Sequence, residues 1–109
     1  MSWREELEGE LQRGKRAEAE GNAGKARTCA RRAVGIVVTE FQKQTGEEYG
    51  NDFLRQLRGI AGDATLPTLV REAAERLQSR LSRDFQSLSV HPLEDARVII
   101  EHFVRYLPL

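Results

Sequence analysis

Apolar residues recur every three or four positions along most of the chain, which is the spacing of one face of an α-helix. The first stripe begins at a capping-box pattern, Ser2 followed by Glu5, and continues to about Glu20. Gly21 and Asn22 then predict a tight connection, so the second helix should fold back antiparallel to the first. The stripe of the first helix consists of Trp3, Leu7, Leu11, Gly14 and Ala17.

The second predicted helix, from about Ala23 to Gln42, carries small residues on its apolar face. Because small side chains let a neighbouring backbone come close, we expect Ala30 and Ala33 to be buried between the first two helices. The segment VGIVV, residues 34–38, is apolar nearly all round, which is typical of a helix buried on more than one side. The second helix is therefore predicted to be the central one.

Three further helices complete the predicted fold. A short helix is capped by Asn51 and ended by Gly62, a longer one runs from Pro67 to about Gln86, and the last runs from Pro92 to about Tyr106, before Pro108. The chain shows neither the alternating pattern of strands nor a repeat of about 20 to 50 residues. We predict an all-α fold, an antiparallel four-helix bundle with one short additional helix, forming a single domain over residues 1–109.

Composition limits the function classes. Seventeen basic and seventeen acidic residues cancel, so no overall field draws the protein onto nucleic acid or an anionic membrane. Cys29 is the only cysteine and lies in an apolar stripe, where it is expected to be an ordinary buried side chain. The polar N-terminus and the lack of a run of about 18 apolar residues predict a soluble cytoplasmic protein.

Most sequence patterns of catalysis and cofactor binding are missing. The glycines lack the spacing of a phosphate-binding loop, and His91 and His102 are too few to hold a metal without distant carboxylates, so we expect no cofactor and no metal site. Arginines on the first two helices, such as Arg13 and Arg27, could form a phosphate-binding patch. Because glutamates are interleaved with them, a solvated face of mixed charge is the favoured interpretation.

Two segments resemble a known family. The stretch AEAEGNAGKARTCARRAVGIVV looks like the first helix hairpin of HEPN domains, which are small intracellular helical bundles. The segments LPTLVREAAERLQSRLSRDF and HPLEDARVIIEHFVRYL resemble the last two long helices of that family. The resemblance implies a homodimer, and it implies a nucleotidyltransferase-type protein as a companion.

Many HEPN proteins carry an Arg-x4–6-His motif, which is implied to cleave RNA where two subunits meet. Arg97 and His102 match that spacing, although Val98 stands where the family usually has a polar residue. At about 100° per residue the two side chains lie about 140° apart around the last helix, on opposite flanks of its apolar stripe. Within one helix they cannot converge, so the favoured interpretation is that they are two polar residues flanking an amphipathic face.

The sequence therefore leaves three hypotheses. The favoured one is a non-catalytic HEPN-like binding or accessory module. The second, from a different class, is a metal-independent endoribonuclease of toxin type, in which His102 acts as general acid or base and Arg97 stabilises charge on RNA. The third is a peptide-docking adaptor, because EGNAGKARTCARRAV also looks like the turn of one tetratricopeptide repeat.

An assembly surface is also predicted. Val98, His102 and Tyr106 lie on the last helix away from its main stripe, and Val38 is an apolar position outside the main stripe of the second helix. We expect part of this surface to form a two-fold interface.

Overall fold

The computed structural model describes residues 2–79 and 90–107, and within them it contains helices and no strand. This finding confirms the predicted all-α class. The helices are α1 (Trp3–Ala19), α2 (Ala23–Thr45), α3 (Phe53–Ala61), α4 (Thr68–Gln78) and α5 (Pro92–Val104). None of the helices in this part of the chain is long and apolar enough to cross a membrane.

Short polar residues fix the starts of the first three helices. The Ser2 hydroxyl accepts the Glu5 N–H at 3.2 Å, and the Asn22 side chain accepts the Lys25 N–H at 3.1 Å. The third cap differs from the prediction, because Asp52 rather than Asn51 accepts the N–H of Arg55, at 2.9 Å. Both residues are good caps, so composition alone could not choose between them.

The later helix boundaries depart from the sequence prediction, and α5 ends at Val104 instead of about Tyr106. Pro67 precedes α4 instead of occupying its first turn, and α2 continues past Gln42 until Gly46, whose φ of 79° ends it. Helix α4 stops at Gln78, because Ser79 takes an extended conformation. The predicted continuation over 80–86 and the stop at Pro108 lie outside the described residues.

Helix α2 is the centre of the fold, as its apolar sequence predicts, and it contacts all the other helices. Ala30 and Ala33 are fully buried, which confirms their predicted burial. The prediction that Val38 contributes to a two-fold interface is wrong. Val38 is 0 % exposed and belongs to the core cluster together with Leu57 of α3, so it is not available to an interface. Sequence periodicity missed this because several helices pack around α2 and bury more than one of its sides.

Two arginines join α4 to the rest of the bundle. The Arg31 side chain donates to the carbonyl oxygens of Leu77 (2.6 Å) and Ser79 (3.1 Å), which satisfies acceptors at the end of α4. The Arg76 guanidinium donates to both oxygens of Asp95, at 2.7 and 3.3 Å, and these hydrogen bonds raise the pKa of Arg76. Asp95 is only 7 % exposed, so this pair fixes the start of α5 against α4.

Candidate functional site on the last helix

Arg97 lies on the exposed surface of α5 between two carboxylates of the same helix. Its NH1 donates to Glu101 Oε1 at 2.7 Å, its Nε donates to Glu94 Oε2 at 3.0 Å, and its NH2 donates to Glu94 Oε1. The hydrogen bonds that Arg97 donates to Glu94, and then the one it donates to Glu101, raise the pKa of Arg97 further above its ordinary value. The guanidinium is therefore already engaged, and binding a phosphate would require it to exchange these partners.

Arg97 faces a groove of about 530 Å³ between α1 and α5. The apolar side chains of Leu11, Leu93 and Ile100 line this groove, together with charged residues from both helices. Close packing of the two helices is possible here because Gly14 leaves space: a Cβ at that position would lie 2.6 Å from Leu93 Cδ2. His102 is not among the residues that line this groove.

His102 is half-buried on the other flank of α5, in a separate cavity of about 360 Å³. Its ring makes edge-to-face contacts with Phe103, at 5.1 Å between centroids, and with Tyr106, at 5.6 Å. Burial lowers the pKa of His102, and the positive charge of Arg105 lowers it further. The neutral imidazole, which can accept a proton, is thereby favoured in the folded protein.

Aromatic residues distant in sequence form the walls of the His102 cavity. Phe41 of α2 lies 4.9 Å from Phe103, and Tyr49, from the loop after α2, lies 5.8 Å from Phe103, both between ring centroids. The Tyr49 hydroxyl donates to Asp63 Oδ2 at 2.7 Å, and burial raises the pKa of this phenol. The cavity is therefore held in shape by contacts between α2, α5 and two loops.

Sequence reasoning did not find this cavity. Phe41 is one apolar residue near the end of the second predicted helix, and Tyr49 lies in the polar segment TGEEYGN before the short third helix. The one available signal was an isolated aromatic residue in an otherwise polar connection, since such a residue needs a packing partner elsewhere. Nothing local in the sequence indicates that the partner is Phe103.

The structure does not bring Arg97 and His102 together within one chain. They line different cavities on opposite flanks of α5, as the helical geometry predicts. The arginine whose charge reaches His102 is Arg105, three residues further along. A single subunit therefore presents an imidazole in a cavity and, apart from it, a guanidinium held by two glutamates.

The remaining residue types that bind metals or act as nucleophiles offer no second site in the described part of the chain. No three His, Cys, Asp or Glu side chains in 2–79 and 90–107 are grouped so that they could hold a metal ion. Cys29 is buried, and burial, followed by the negative charge of Glu10, raises the pKa of its thiol, so the unreactive protonated form is favoured. No protein-family model, curated protein or solved structure matches this chain.

Proposed function

We propose that the protein is a non-catalytic, HEPN-like binding or accessory module of the cytoplasm. It acts as a homodimer or together with a nucleotidyltransferase-type partner. The observation that carries the proposal is the arrangement on α5, where Arg97 is held between Glu94 and Glu101 and faces a different cavity from His102.

The arrangement argues against RNA cleavage by one subunit for a geometric reason. A general acid or base must reach the reacting oxygen while a cation stabilises the charge that develops on the same phosphate. Here α5 itself separates the two groups, and two carboxylates beside Arg97 repel an approaching phosphate. The balanced charge of the chain adds no general attraction for RNA.

The proposed homodimer forms through the rest of the predicted interface, around Val98, His102 and Tyr106. Tyr106, two residues beyond the end of α5, is 59 % exposed and contacts His102, while Val98 is half-buried on α5. An exposed aromatic residue and a half-buried apolar one on this flank are suitable groups for a two-fold contact. We expect sedimentation at tens of micromolar, a range suited to modest affinities, to show a dimer, and a monomer would contradict this part of the proposal.

The alternative is a metal-independent endoribonuclease completed by dimerisation. The neutral imidazole of His102 in an open cavity is the observation that favours it. In that case Arg97 of the partner subunit would have to leave its glutamates and enter this cavity.

Cleavage of single-stranded RNA in the presence of a metal chelator separates the two functions. We expect the wild-type protein to leave the RNA intact. The proposal is wrong if three results occur together. The wild type cleaves the RNA, His102→Ala and Arg97→Ala each abolish cleavage while keeping a native helical circular-dichroism spectrum, and His91→Ala still cleaves the RNA. His91 is the matched control, because it is the only other histidine.

A further inference from the structure

A second groove, of about 440 Å³, lies on the opposite part of the fold from α5. It is formed by the first half of α1, the middle of α2 and the start of α3. No residue of α5 lines it, so its role is independent of the function proposed for Arg97 and His102. Its lining includes Trp3, Glu10, Ile36, Phe53 and Gln56.

Gln56 presents an acceptor without a donor in this groove. Its side chain is only 2 % exposed, and its Nε2 donates to the Thr39 hydroxyl at 2.9 Å and more weakly to the Gly50 carbonyl at 3.4 Å. Because a carbonyl oxygen can only accept, Gly50 sets the orientation of the amide. This leaves Gln56 Oε1 buried with no hydrogen-bond partner among the described residues.

Glu10 presents a second such acceptor from the opposite wall. This residue is 9 % exposed, and its Oε1 forms an ion pair with Arg13 at 3.0 Å. Its Oε2 is buried and has no hydrogen-bond partner in the described part of the chain. The Cys29 thiol also donates a hydrogen bond to the Glu10 carboxylate, but a thiol is a weak donor. Buried polar groups normally have partners, and both residues line one groove, so the two oxygens are acceptors for a ligand that supplies N–H or O–H groups.

The charge of the groove indicates that this ligand is a cation. Besides Glu10, the acidic residues Glu6, Glu40 and Asp52 line it, against the basic residues Arg32 and Lys43. A metal ion is not the expected occupant, because no metal-binding group of three side chains occurs in the described ranges. An organic cation fits better, since its nitrogen carries several hydrogen-bond donors.

The walls of the groove fit an apolar stem behind such a cationic group. Trp3, Ile36 and Phe53 supply the apolar surface. The guanidinium carbon of Arg4 already lies 4.5 Å from the centroid of the Trp3 ring, which shows that this indole accepts a cation at stacking distance. The volume lies within the range of roughly 300–1,000 Å³ that is usual for small-ligand sites.

We propose that this groove binds an organic cation, an alkylammonium or guanidinium group on an apolar stem, whose N–H groups donate to Glu10 Oε2 and Gln56 Oε1. The cation can come from two sources, a free small amine or a basic side chain of another polypeptide.

Trp3 makes the proposal directly testable, because it is the only tryptophan of the chain and it lines the groove. The full-length protein is titrated with agmatine, which carries a guanidinium and an ammonium on a short alkyl stem, and the Trp3 emission is followed. We expect a saturable change. Glu10→Gln should weaken the affinity about tenfold, which corresponds to roughly 1.4 kcal/mol.

The matched control is Glu8→Gln, on the same helix but outside the groove, which should bind as the wild type does. As a second variant, Ile36→Arg should abolish the response, because its own guanidinium would occupy the groove. Circular dichroism verifies that each variant is folded.

The two sources are distinguished by a second titration, with an arginine-containing peptide blocked at both ends. Binding of the peptide alone identifies a protein side chain as the occupant, whereas binding of agmatine alone identifies a free amine. The proposal is overturned if neither probe changes the Trp3 emission at about 10 mM, well above the micromolar to millimolar range of specific weak sites. It is also overturned if Glu10→Gln binds as tightly as the wild type, or if inorganic phosphate competes for the groove.

Discussion

Replacing Gly59 by alanine should destabilise the protein, although the same replacement of Gly9 should stabilise it. Both glycines lie inside helices, Gly9 in α1 and Gly59 in α3, where alanine is intrinsically favoured by about 1 kcal/mol. A Cβ at Gly59 would lie 2.8 Å from the Tyr49 carbonyl oxygen and 3.2 Å from Tyr49 Cδ1. At Gly9 it would meet only the end of the Arg13 side chain, at 3.4 Å.

The clash at Gly59 is costly because Tyr49 is held from two directions. Its N–H donates to Gln42 Oε1 at 2.7 Å, and its hydroxyl donates to Asp63 Oδ2 at 2.7 Å. Ordinary contact begins at 3.4 Å, so the helix or the loop has to retreat by about 0.6 Å, the difference from 2.8 Å. Overpacking of this kind costs about 1–3 kcal/mol, and subtracting the gain in helix propensity leaves a net loss of about 1 kcal/mol.

Urea unfolding followed by circular dichroism measures both variants. We expect the midpoint to fall for Gly59→Ala and to rise for Gly9→Ala, with unchanged slopes, since neither change alters the surface exposed on unfolding. The two variants should differ by about 2 kcal/mol. A Gly59→Ala protein as stable as the wild type would show that α3 does not pack against the Tyr49 loop as described.

Three further predictions concern the core, a buried ion pair and pH. Ala33→Leu should cost about 1–3 kcal/mol, because Ala33 is 0 % exposed and the larger side chain overpacks the bundle; an unchanged urea midpoint would refute this. Asp95→Asn should cost about 1–2 kcal/mol by weakening the hydrogen bonds from Arg76, and it is refuted if it unfolds at the same urea concentration as the wild type. Burial lowers the pKa of His102 in the folded state, so the unfolded chain binds the proton more tightly. The contribution of His102 to the free energy of unfolding is therefore present above about pH 6.5, the ordinary pKa of histidine, and is lost as the pH falls below that value. His102→Gln should therefore flatten the stability profile between about pH 7 and 5, and parallel profiles for the two proteins would contradict the cause given.

The fold class and the starts of α1, α2 and α5 were predictable from the sequence because they depend on interactions within a few residues. The caps at Ser2 and Asn22 and the divergence of Arg97 from His102 follow from local geometry that any helix imposes. The pairing of Arg97 with glutamates three residues before and four residues after it is equally local, although it was not predicted. The HEPN resemblance and the homodimer stay predictions.

Tertiary structure decided which surfaces are buried and what each candidate residue faces. Periodicity describes one helix at a time, so it placed Val38 on an outer surface that in fact belongs to the core of the bundle. The cavity of His102 needs Phe41 and Tyr49, and the second groove needs Glu10 and Gln56, which the sequence separates by tens of residues. Such pairs meet only when helices pack, because the free energy that selects the packing comes from burial of the whole apolar core and not from any single segment.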